Sequence, residues 1–178
     1  MEYSFWNDAA KVGAVMAAAQ ILAATGDLFL KPALAMLATL FLLAVFVVLL
    51  FLFVRHRVAS AGADGYSYGQ CMKYIFWSMV FAGIVYGAWE IVARNLFFAE
   101  RYEAQMNEML AILPRVYSAE QLDMAVSMMR SMFFSPIWLV VLSVLTCVIK
   151  GCFFGFFIAA FAQREADIFS DSGEGGHE

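Results

Sequence analysis

The residues of this 178-residue chain with the most chemistry to offer are two charges inside long apolar runs. Lys150 interrupts the run from Pro136 to Ala162, and Glu90 interrupts the one that opens near Tyr68. At 1.5 Å per residue the Pro136–Ala162 run is about 39 Å long, enough to cross a hydrocarbon core of about 30 Å. Lys150 would then lie roughly 18–20 Å from either end, too deep to snorkel easily to an interface. It should therefore find its partner inside the protein. Glu90 lies about 24 Å along its own helix from Tyr74, a comparable level, and Gln20 is at a similar depth on an earlier run. Adjacent spans run in opposite directions and helical Cβ atoms tilt toward the N-terminus, so Glu90 and Lys150 should point toward each other. The expected polar cluster near the membrane midplane is Lys150, Glu90, Gln20, Tyr86 and Thr146, built on a Glu90–Lys150 ion pair. Such a group either fixes helix register or, as intramembrane charges often do, forms a proton or ligand site.

Other reactive residue types are sparse. No nucleophile–base pair, zinc spacing or phosphate-binding loop is present, so no catalytic residue and no cofactor is expected. Two of the three cysteines, Cys147 and Cys152, lie five positions apart in one apolar run, where they read as small apolar side chains rather than a disulfide framework. Six methionines fall between Met106 and Met132. Thioethers are soft ligands for copper(I), but no Cys or His accompanies them there, and no metal site is expected. Met124, Met128, Met129 and Met132 read instead as an adaptable apolar surface for a partner or for lipid. His56, beside two arginines, reads as a solvated loop residue.

The elements that must position these residues are helices. Hydrophobic residues make up 63% of the chain and charged residues 15%, with a mean hydropathy of +0.77, against about 45–50% and about 25% in soluble domains. The fold class is all-α: a polytopic membrane protein with four spans, at about 9–30, 32–54, 68–98 and 136–162, forming one domain over 1–169. The alanine-rich start carries Glu2 and Asp8 and is expected to be a retained span rather than a cleaved leader. Residues 99–135, charged and rich in methionine, should form an extramembrane helical hairpin broken at Pro114, its second helix opening with a Ser118–Gln121 capping box. Residues 170–178 should be a mobile acidic tail. Gly83-x-x-x-Gly87 and Gly151-x-x-x-Gly155 should let the third and fourth spans approach closely, leaving the second at the periphery.

Arg55, Arg57 and Lys73 flank the loop between the second and third spans, which assigns that loop, and with it both termini, to the cytoplasmic side. The net charge of −4 and the absence of a basic stripe argue against a nucleic-acid partner, and none is expected. Lys11-x-Gly13, Arg55-x-Arg57, Gly65-x-Ser67-Tyr68, the proline before the fourth span and Arg164 after it resemble a bacterial family of small four-span proteins labelled domain of unknown function 4199. The resemblance covers nearly the whole chain and implies four helices in a bacterial inner membrane; it carries no catalytic residue. The expected role is a non-enzymatic accessory or assembly subunit in contact with the bilayer and with another membrane protein or itself. The alternative is a small proton-coupled or solute transporter using Glu90 and Lys150, and a membrane enzyme acting on lipid-linked substrates comes third.

Overall fold

The computed structural model describes residues 2–62, 65–111 and 119–164. Among these residues six α-helices follow one another: α1 (Glu2–Phe29), α2 (Pro32–Ser60), α3 (Tyr68–Val92), α4 (Ala99–Leu110), α5 (Ala119–Phe134) and α6 (Pro136–Ala162). Among the described residues there is no strand, only an antiparallel bridge in which Tyr66 and Arg164 exchange backbone hydrogen bonds of 2.7 and 3.0 Å. The bridge fastens the α2–α3 loop to the end of α6.

Local chemistry sets the boundaries. Pro32 opens α2 at a position where its missing N–H costs nothing, after Lys31 has turned the chain in an extended conformation. α2 runs on through Arg55 to Ser60, past the end of its apolar run. Basic side chains suit the last turn, where the helix dipole is negative. Gly62 and Gly65, at φ of 64° and 70°, provide the left-handed backbone that turns the chain back. Ser67 and Gln70 then form a capping box, with the Gln70 side chain accepting from the Ser67 N–H at 2.7 Å. α1 begins about two turns before the expected span, because Phe5 and Trp6 pack on Tyr74 and Trp77 of α3.

Four helices, α1, α2, α3 with its π-helical extension, and α6, are long and apolar enough to cross a membrane. Large apolar side chains on α2 and α6, among them Leu37, Phe41, Ile149, Phe157 and Phe161, are exposed. A continuous apolar exterior of this kind is compatible with lipid and not with water. The chain is an integral membrane protein whose outer surface contacts the bilayer.

α3 is the centre, packed chiefly between α1 and α6. A Cβ on Gly13 would stand 2.7 Å from the Ser78 carbonyl oxygen, so α1 crosses α3 backbone to backbone. Gly87 faces the Val140 Cα and Gly83 faces the Val144 backbone, while Gly151 and Gly155 take up the side chains of Met79 and Ile75. Without a hydrophobic driving force between helices in lipid, this close van der Waals fit is what holds them together. α2 buries a stripe at every fourth residue, Phe46, Leu50, Val54 and Val58, while its first half is exposed.

Candidate functional site

The glycine contacts set the register of α3 against α6, and that register separates Glu90 from Lys150. Val140 lies opposite Gly87, so Glu90 stands beside the start of α6, whereas Lys150 is next to Gly151, opposite Met79. The sequence reading measured Glu90 from Tyr74. Counted from Tyr68, where α3 begins, Glu90 is about 33 Å along, against about 18 Å for Lys150 measured from Ala162. The expected ion pair does not form, and the expected cluster is two separate groups.

The first group is at the end of α3. Glu90, 3% exposed, accepts a 2.7 Å hydrogen bond from Arg94 Nε, one turn later. A glutamate four residues before an arginine is the favourable order for a helical pair. Arg94 lies in a π-helical turn, Ala93–Phe97, closed by Phe98 N–H donating to the Ala93 carbonyl at 2.8 Å. Its Nη1 donates to the Phe133 carbonyl at 3.3 Å, and its guanidinium carbon is 4.3 Å from the Phe133 ring centre and 4.9 Å from that of Tyr102. One side chain thus ties α3 to α4 and α5 through a charge pair, a hydrogen bond and two cation–π contacts. Burial, and then the Glu90 carboxylate nearby, push the Tyr102 hydroxyl up to about 12, so it stays protonated in any ordinary medium.

A cleft of about 550 Å³ lies beside this knot, between α3, α5 and α6. Glu90, Arg94, Tyr86, Ser143 and Thr146 give it a polar side, and Met128, Met129, Met132, Phe133, Leu139 and Leu142 line the rest. Tyr86 and Thr146 thus join Glu90 without Lys150, and three of the four methionines expected to form a contact surface line the same space. Met124 lies off the cleft and is exposed. Met129 and Phe133 share the inward face of α5 with Val126, all partly buried. The Pro114 break and the Ser118 capping box fall outside the described residues, as does the acidic tail.

The second group is at mid-span. Lys150 Nζ donates to Gln20 Oε1 at 2.9 Å, and Gln20 Nε2 donates to Cys147 Sγ at 3.0 Å. The Phe46 ring centre lies 5.4 Å from the ammonium. Lys150 therefore faces α1 and α2, while Thr146, one turn back, faces the cleft. Among the described residues no carboxylate lies within ion-pair distance of Lys150.

A third constellation escaped the sequence reading. Asp8 accepts from the Tyr74 hydroxyl at 3.0 Å and lies 3.6 Å from Arg57, whose guanidinium sits 5.9 Å and 6.0 Å from the rings of Tyr74 and Phe5. No group of His, Cys, Asp and Glu among the described residues is arranged to hold a metal ion. Comparison of the chain with protein-family models, curated proteins and solved structures finds no match.

Proposed function

We propose that this protein is a non-enzymatic accessory or assembly subunit of a larger membrane complex, in a bacterial inner membrane with both termini in the cytoplasm. The observation that supports this reading is the cleft. Its acid, Glu90, is held by Arg94 in a charge pair, and among the described residues only the hydroxyls of Tyr86, Ser143 and Thr146 add to its polar side. Its remaining lining is methionine and other apolar side chains, which adapt to a partner's surface. In this reading α4 and α5 form an extramembrane hairpin that offers the cleft to a segment of another membrane protein, and the resemblance to a four-span family without assigned catalysis agrees with it.

Purification in mild detergent should recover a second protein in stoichiometric amount, and Met129→Asp should release it while leaving the helical content unchanged. A variant that retains its partner as the parent does would remove the cleft as the contact. Cysteine labelling in intact cells should modify a cysteine placed at Ala111 and spare one placed at Ala61; the reverse pattern inverts the orientation.

A second reading, a small proton-coupled transporter, is favoured by one observation: Lys150 is at mid-span, and its partners among the described residues are neutral. A Lys150→Leu protein that is stable but does not complement a deletion strain, where Lys150→Arg does, would support it.

A further inference from the structure

At the end of the bundle opposite the methionine-lined cleft, a second cleft of about 560 Å³ opens between the start of α1, the end of α2 and the α2–α3 loop. Its chemistry is the reverse of the first. Ser4, Asn7, Asp8, Lys11, His56, Arg57, Ser60, Tyr66 and Gln70 line it, and only Ala61 and Gly65 among its lining residues lack a polar side-chain group. Among these, Lys11 and Arg57 are positive, His56 becomes so when protonated, and Asp8 alone is negative. Asp8 is already held by Arg57 and by the Tyr74 hydroxyl. Lys11 has no carboxylate within ion-pair distance among the described residues. Outside the lining, Lys73 lies 5.7 Å from the Phe5 ring, and Arg164 is bonded through its backbone to Tyr66. Neutral donors complete the wall: among the described residues Ser4 and Asn7 have no side-chain hydrogen-bond partner, and Gln70 uses its carbonyl oxygen in the capping box, with no partner there for its amide N–H groups. Among the described residues the cleft is thus rich in donors and cations, and Asp8, the acid in its lining, is engaged.

We propose that this cleft binds a phosphate group. A phosphate offers several acceptor oxygens on one tetrahedral centre, which suits Lys11, His56 and the unused Arg57 donors converging with short polar side chains. The position names one source. The cleft stands at the ends of spanning helices, at the level where a bilayer places its phosphodiesters, and juxtamembrane cations draw anionic lipid. A free phosphate ester from the aqueous side would present the same oxygens. The site is independent of the partner-binding role of the other cleft.

The test uses the full chain in a mild detergent, with native mass spectrometry to count retained phosphatidylglycerol and thermal unfolding to follow inorganic phosphate. Retention of phosphatidylglycerol over diacylglycerol, weakened about tenfold by Lys11→Gln, which at about 1.4 kcal/mol is the loss of one charged contact, and weakened less by His56→Gln, supports a lipid phosphate. Stabilisation by inorganic phosphate that Lys11→Gln abolishes supports a free phosphate instead. Equal retention of diacylglycerol, or phosphatidylglycerol binding unchanged in both variants with no effect of inorganic phosphate, overturns the proposal. Should Lys11→Gln fold poorly, Asn7→Leu, at a position that is exposed, removes donors from the same wall without touching the Asp8–Arg57 pair.

Discussion

The two ends of the bundle use the same parts, an arginine, a carboxylate and two aromatic rings, and use them differently. At the Glu90 end the pair lies within one helix, is 2.7 Å long, and its acid side chain is 4% exposed. At the Asp8 end the pair joins α1 to α2 over 3.6 Å, Tyr74 of α3 joins it, and the acid side chain is 36% exposed. The first arrangement exists to keep a buried charge tolerable, and the other helices gather on the arginine. The second is a clamp between helices that water can reach, so its charges are worth less and its geometry more. Burial, rather than the identity of the residues, decides how much each pair contributes.

That contrast can be broken by substitution. The largest effect is expected from Arg94→Leu, which strands a buried carboxylate. Breaking a pair of this kind costs about 3–5 kcal/mol. Glu90→Leu with Arg94→Leu should recover much of the loss, and thermal unfolding of the double-mutant cycle measures the coupling. A cycle on Glu90 and Lys150 should show none.

Next in size is a pair of glycine changes that extends the contrast to the α3–α6 seam. Toward the Glu90 end, a methyl on Gly83 or Gly87 meets the backbone of Val144 or Val140, which cannot yield. Toward the other end, a methyl on Gly155 meets the Ile75 side chain at 3.0 Å, which can shift. Gly83→Ala should cost about 1–3 kcal/mol as an overpacking change, and Gly155→Ala less. Equal losses in melting temperature at the two sites would show that the seam is equally rigid along its length.

Between the ends, Gln20→Leu removes the acceptor of Lys150 and the donor to Cys147, and should destabilise by about 1–3 kcal/mol. The smallest effect is expected from Asp8→Asn, at most about 1 kcal/mol, as for other ion pairs open to solvent. If Asp8→Asn matched Arg94→Leu in a chemical-unfolding series, the distinction drawn from burial would fail.

The sequence made the helices legible because span length, proline placement and the Ser67–Gln70 box are local signals. Close packing of the glycine stripes was also readable, since small residues at spacing four have few other uses in lipid. The pairing of charges was not. Glu90 and Lys150 were matched by depth, and depth depends on where a helix starts; moving the origin from Tyr74 to Tyr68 shifts Glu90 by about 9 Å. The Glu90–Arg94 spacing of four is a local pattern, but a deep lysine that meets an amide instead of an acid leaves none. The Asp8–Arg57–Tyr74 clamp brings together three helices from positions 8, 57 and 74, and no local pattern announces a contact of that kind.

The bridge between Tyr66 and Arg164 has a consequence of counting. Two backbones that hydrogen-bond to each other are on one face of the membrane, so the chain between them must cross an even number of times. α3 and α6 supply two crossings. α4 and α5, with 12 and 16 residues, reach about 18 and 24 Å, each short of a core of about 30 Å. The Asp8–Arg57 contact closes the same sum for the first half of the chain, because α1 and α2 must also return to the face they left. Parity alone therefore places Asp8, the α2–α3 loop and Arg164 on a common side, whichever side that is, and any insertion that made α4 or α5 long enough to cross would have to break a bond to do so.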